Sequence, residues 1–175
     1  MFGDSLLQSK HLSTTGLTKD RAEQTFSPNE AHRWFAVEVN NQAWDLLESD
    51  SRTDQDNEVL RNTAHAAWRH WWEVGTPINQ QRAEYLLALV HAALGESGSA
   101  THHAQRALAL GDSAADAMQP LDWAFTHDAA SRAFGLLGEP SLQQTHRKTA
   151  NSFRDQLTDE ADRELVDAWF ARQTL

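Results

Sequence analysis

The chain has 175 residues, seven Trp and seven Phe among them, which is enough to bury a core of its own, and 25 acidic against 15 basic side chains leave a formal charge of −10. That balance argues against nucleic acid and anionic membrane surfaces, since both recruit a surplus of Lys and Arg. With no cysteine, a disulfide framework, a thiolate metal site and a cysteine nucleophile are excluded together.

Residues 1–27 read as a partly irregular arm with one short helix after Thr18. Neither an apolar run of signal-peptide length nor about 18 continuous apolar residues occurs, so a cytoplasmic location without a membrane partner is expected. Ser27-Pro28-Asn29-Glu30 then combines a capping Ser, a Pro at the first helical position and a Glu three residues on, which predicts a helix over 28–49. Thr53 caps a second helix, 54–74, stopped by Gly75. Thr76-Pro77 opens a third, 77–94, stopped by Gly95. Ser97 or Ser99 opens a fourth that ends at Gly111, before a loop of small residues over 112–119. Pro120 starts a fifth helix ending at Gly138, Pro140 a sixth to about 157, and Thr158-Asp159-Glu160 caps a last helix, 159–172. No segment has the period-2 alternation of a strand. Links of a few residues force neighbouring helices antiparallel, so the sequence predicts one all-α domain over 28–175: three hairpins (28–74, 77–110 and 120–157) and a terminal helix.

An internal repeat supports this layout. Leu94-Gly95-Glu96 recurs as Leu137-Gly138-Glu139, and the same 43-residue offset aligns His103 with His146 and Ala107 with Ala150. The stretch from Gln81 to Leu110 resembles a tetratricopeptide repeat: Leu87-Ala88, Gly95, Ala100, Ala104 and Ala107 sit where that family places small or apolar side chains for close packing. The 120–157 hairpin is a degenerate copy that keeps Ala130, Ser131, Phe134, Gly138 and Ala150. A period of 43 instead of about 34 puts the extra residues in the 111–119 loop, and the 28–74 hairpin carries no such signature. The resemblance implies an α-α superhelix, a right-handed array whose first helices line a groove for a peptide or helix of a partner protein. Trp34, Glu38, Gln81, Tyr85 and Trp123 are the candidate groove contacts. The terminal helix, amphipathic through Leu165, Val166, Trp169 and Phe170, either closes the open end of the array or joins two copies in a homodimer.

Several polar residues fall where apolar ones are expected. At 100° per residue, Leu60, Ala64, Ala67, Trp68, Trp71 and Trp72 share one arc of the second helix, with His65 at its edge. Asn40 lies inside the apolar arc of the first helix. Glu84 and His91 occupy packing positions of the third helix, and His127 shares an aromatic stripe of the fifth with Trp123 and Phe134. Buried polar groups need partners, so Glu84, His91, His65, His127 and Asn40 form a candidate polar pocket for a small molecule or a metal, in a binding protein or an enzyme. No His-Glu-x-x-His, Gly-rich phosphate loop or Gly-x-Ser-x-Gly turn is present, so no catalytic residue, metal ligand or cofactor is assigned by motif. His102 and His103, adjacent on one helix, cannot both face one centre.

Overall fold

The structure, a computed structural model, describes residues 26–172. Seven α-helices follow one another: α1 Pro28–Leu47, α2 Asp54–Val74, α3 Pro77–Ala93, α4 Ser97–Ser113, α5 Pro120–Leu137, α6 Pro140–Arg154 and α7 Glu160–Ala171. No strand occurs among the described residues. The predicted arm and its short helix lie outside them, apart from the two residues leading into α1.

The starts of the helices are set by local chemistry. Ser27 and Glu30 close a reciprocal box, the Ser27 N–H donating to Glu30 Oε2 at 2.8 Å and the Glu30 N–H to Ser27 Oγ at 3.3 Å. Thr53 and Asp56 repeat it at 2.9 and 3.2 Å. These bonds satisfy amides that no helical carbonyl reaches. Three ends differ from expectation. α1 stops at Leu47, where the Arg52 guanidinium donates to the carbonyls of Leu46 and Leu47 at 3.2 and 2.9 Å and so takes up acceptors at the helix end. α4 runs past Gly111 to Ser113, and a 3-10 turn at Ala115–Ala117 occupies the small-residue loop. α6 ends at Arg154.

The glycines at 95 and 138 do the same work in both copies of the repeat. Their φ angles are +74° and +85°, a region costly for any residue with a Cβ. At the first, the Gly95 N–H reaches the Ala92 carbonyl at 3.1 Å and the Glu96 N–H the His91 carbonyl at 2.9 Å. At the second, Gly138 and Glu139 bond Gly135 and Phe134 at the same distances. Both are Schellman terminations, 43 residues apart, so the repeat seen in sequence is a repeat in space.

α1 packs on α2, α3 on α4 and α5 on α6 as antiparallel hairpins. α2 also packs on α3, α4 on α5, and the first helices α3 and α5 on each other. α3, touched by α1, α2, α4 and α5, is therefore apolar almost all round, with Leu86, Leu87, Leu89 and Val90 fully buried. α7 lies against α5 and drives Trp169 edge-on into Trp44, their ring centres 5.3 Å apart. No described helix is long and apolar enough to cross a membrane.

A Cβ built at Gly138 meets nothing within 4 Å, so Gly138→Ala isolates the backbone cost. We expect a loss of about 1–2 kcal/mol in urea unfolding with an unchanged far-ultraviolet circular dichroism spectrum. An unchanged midpoint would contradict the left-handed turn.

Candidate metal centre

Three imidazoles from three helices meet where the first and second hairpins join. His65 stands on the exposed edge of α2, His91 is buried in the last turn of α3, and His103 is half-buried near the start of α4. One ring nitrogen of each lies within 4.8 Å of those of the other two. The Nε2 atoms of His65 and His91 are 3.2 Å apart, and the rings of His91 and His103 stack with their centres 5.3 Å apart.

The positions follow from the local fold. The Schellman turn at Gly95 folds the chain back so that Glu96, whose amide bonds the His91 carbonyl, also brings its carboxylate onto His91 Nδ1. Arg61 of α2 holds that carboxylate from the other side, Nε to Oε1 at 3.0 Å. Glu84 lies seven residues before His91 and thus on the same face of α3. It is wholly buried, and it accepts from His103 Nδ1 at 2.7 Å, Trp68 Nε1 at 2.8 Å and Arg106 Nε at 2.7 Å. The Arg106 guanidinium in turn lies 5.5 Å above the Trp72 ring, and Trp72 stacks on Trp68.

This arrangement assigns the protons. Glu96 and Glu84 each hold a hydrogen on the Nδ1 they face, which leaves Nε2 of His91 and of His103 without one, and that of His91 faces His65. Two facing Nε2 atoms at 3.2 Å need either one hydrogen or one cation between them. His65, being exposed, can supply the hydrogen and release it to solvent. A carboxylate behind a histidine is the usual outer support of a histidine bound to metal, fixing the ring and raising its basicity. A tetrahedral ion with bonds of about 2.0–2.1 Å sets its nitrogens about 3.3 Å apart. The His65–His91 separation already matches, and a modest approach of the third ring completes a three-nitrogen face.

The surroundings favour the neutral form of His65 and His91. Burial lowers the pKa of His91, against the opposing pull of Glu96, and burial together with the two neighbouring imidazoles lowers that of His65. Burial alone would raise the Glu84 carboxyl, but the donors His103, Trp68 and Arg106 outweigh it and hold the group below its usual range. Glu96 is lowered first by its bond to Arg61. Each carboxylate is thus balanced by an arginine on its outer side.

Of the five residues of the predicted pocket, the structure brings together Glu84, His91 and His65. It does not bring in the other two. Asn40 is half-buried on α1 and makes no hydrogen bond to any of them. His127 belongs to the next hairpin, its Nδ1 2.9 Å from Nδ1 of His146, beside the rings of Trp123 and Phe153. His103 and Glu96 are the members that sequence reasoning left out. Both stood in the 43-residue register, paired with His146 and Glu139, and that register was the signal available.

The groove candidates are dispersed. Trp34 is 55% exposed and lies edge-on to Phe35, their ring centres 4.9 Å apart. Glu38 is half-buried on α1. Gln81 has to be withdrawn as a partner contact: it has no exposed surface and its amide donates to Thr126 Oγ1 of α5 at 2.6 Å. Tyr85 is half-buried and stacks on Phe125 beside Trp44, and Trp123 stacks on Phe153 within its own hairpin. Both serve internal packing.

No protein-family model matches the chain, and no curated protein or solved structure is significantly similar to it.

The aromatic box around His127 generates a pH prediction. Burial, with His146 adding to it, lowers the His127 pKa from 6.5 to about 4. A depressed histidine binds its proton in the unfolded chain first, so its stabilisation is full above pH 6.5 and is lost as the pH falls toward about 4. Urea unfolding across that range is expected to give a stability that falls with pH, with a shallower slope in His127→Gln. Equal slopes would show that His127 is not buried uncharged.

Proposed function

We propose that this protein binds a divalent transition metal, zinc foremost, through His65, His91 and His103. The observation that carries this reading is that one ring nitrogen of each histidine lies within 4.8 Å of the other two while two of the rings are backed on Nδ1 by a carboxylate. A lone buried histidine needs one partner, whereas this set provides outer support for two of its three rings. Imidazole nitrogens suit Zn, Cu, Ni and Co better than they suit Mg or Ca. No fourth His, Asp or Glu joins the group among the described residues, so a bound ion keeps a position for water or a small ligand, as catalytic zinc sites do. Glu84 and Glu96 orient the rings and do not ligate. The hairpin array, resembling tetratricopeptide repeats, is the frame that holds three helices in register around the ion.

A second reading, a surface for another polypeptide, is favoured by one observation. Phe26, Trp34 and Phe35, three large aromatics at the start of α1, are each more than 40% exposed. Sedimentation of the wild type and Trp34→Ser at high concentration tests its simplest form. Self-association lost in the variant supports it, and a monomer in both retires a homodimer through this face.

The metal reading is tested by titrating untagged, chelator-treated protein with Zn²⁺ and with Co²⁺, whose visible spectrum reports coordination. One ion per chain is expected. At a hundredfold excess over Kd it stabilises the fold by about 2.7 kcal/mol, seen as a rise in Tm. His91→Ala and His103→Ala are expected to abolish binding, while His102→Ala, which removes an exposed neighbour, leaves it intact. No saturable binding, or equal binding in all three variants, sinks the proposal.

A further inference from the structure

A cleft lies away from the histidine centre and shares no residue with it. It has a volume of about 620 Å³ and runs between α5, α6 and the end of α7, within the size range of small-molecule sites. Its lining combines apolar surface from Ala92, Leu136 and Phe170 with Arg132, Arg147 and the amides of Gln143 and Asn151. Gln143 and Arg147 also line an adjoining lobe of about 590 Å³ that adds Lys148.

The charge in this cleft is not balanced from within. Asp128, wholly buried on α5, accepts from Arg132 Nε at 2.6 Å, from Arg147 Nη1 and from Trp169 Nε1 at 2.8 Å. The other Arg132 nitrogens donate to the carbonyls of Arg172 and Trp169 at 3.1 and 3.4 Å, so each nitrogen of that guanidinium has a partner. Arg147 spends only Nη1. Its Nε and Nη2 have no partner among the described residues, and its guanidinium lies 5.5 Å over the Phe170 ring. One carboxylate thus faces two arginines, with a lysine alongside, in a chain of net charge −10. Asp128 pins Arg147 from below, so its free edge is held toward the cleft before any ligand arrives, which removes part of the ordering cost of binding.

We propose that this cleft binds a small anionic amphiphile, a carboxylate or phosphate head on an apolar body. The head pairs with the free edge of Arg147 as a charge-assisted, fork-shaped contact, and Gln143 and Asn151 donate their amide hydrogens beside it. The body lies along Leu136 and Phe170.

Calorimetric titration of the full chain with decanoate, decyl phosphate, decyltrimethylammonium and inorganic phosphate tests this. Saturable binding of the two alkyl anions is expected, with none of the alkyl cation and far weaker binding of inorganic phosphate. The tighter of the two anions identifies the head group. Arg147→Gln is expected to weaken both anions at least tenfold, and Leu136→Ser to weaken both while leaving the response to inorganic phosphate unchanged. Circular dichroism checks the fold of each variant, and Leu136 is exposed enough for its variant to stand should Arg147→Gln misfold. Cation binding equal to anion binding, inorganic phosphate binding as tightly as decyl phosphate, or unchanged affinity in folded Arg147→Gln or in Leu136→Ser would overturn the proposal.

Discussion

The join between the first two hairpins is organised around a single buried charge, the carboxylate of Glu84. Removed from water, it survives as an anion only because donors from two other helices reach it: Trp68 of α2, and His103 and Arg106 of α4. Those donors fix how α2 and α4 sit on α3. Without them α3 would carry an unpaired charge in the middle of the core. The same bonds determine which nitrogen of His103 bears its hydrogen and bring its ring beside His91. Packing and the candidate chemistry therefore share one cause.

The third hairpin meets the same problem with a different residue. Asp128 on α5 is again a fully buried carboxylate, again bonded by a tryptophan N–H and by arginine, here Trp169, Arg132 and Arg147. Glu84 ties its helix to the helices on either side, and Asp128 ties α5 to α6 and to the closing helix α7. The first helices of the second and third hairpins thus each contain a buried carboxylate that takes donors from neighbouring helices. Such networks are costly when incomplete and specifying when complete, which gives an array of similar hairpins a defined order of packing.

The 43-residue repeat also explains why the histidine centre is found once. His127 stands where Glu84 does and His146 where His103 does, and both pairs are bonded across their hairpins, at 2.9 and 2.7 Å. Phe134 replaces His91 and stacks on His146 as His91 stacks on His103. Leu108 stands in the place of His65. The stacking is retained while two of the three histidines are exchanged for apolar side chains, so the third hairpin keeps an aromatic box without the cluster. One scaffold position therefore reads as a centre or as core according to two side chains.

The helices themselves were legible in the chain because their ends are decided by near neighbours. Ser27 and Thr53 cap with residues three positions away, prolines open four of the seven helices, and Gly95 and Gly138 take backbone angles that side chains resist. His65, Glu84 and His91 were legible as polar groups on apolar faces, since helical period alone assigns the face. Which polar groups meet was not legible. Asn40 and His127 met the same criterion, but they sit on helix faces turned toward other neighbours. His103 and Glu96 looked like ordinary surface residues until the docking of α4 brought His103 beside His91 and the turn after α3 brought Glu96 behind it. A helix face is a property of residues three and four apart, whereas a site built from three helices depends on the rotation and spacing of each helix against the next. Those are set by the packed core and its buried carboxylates, so only the tertiary structure decided them.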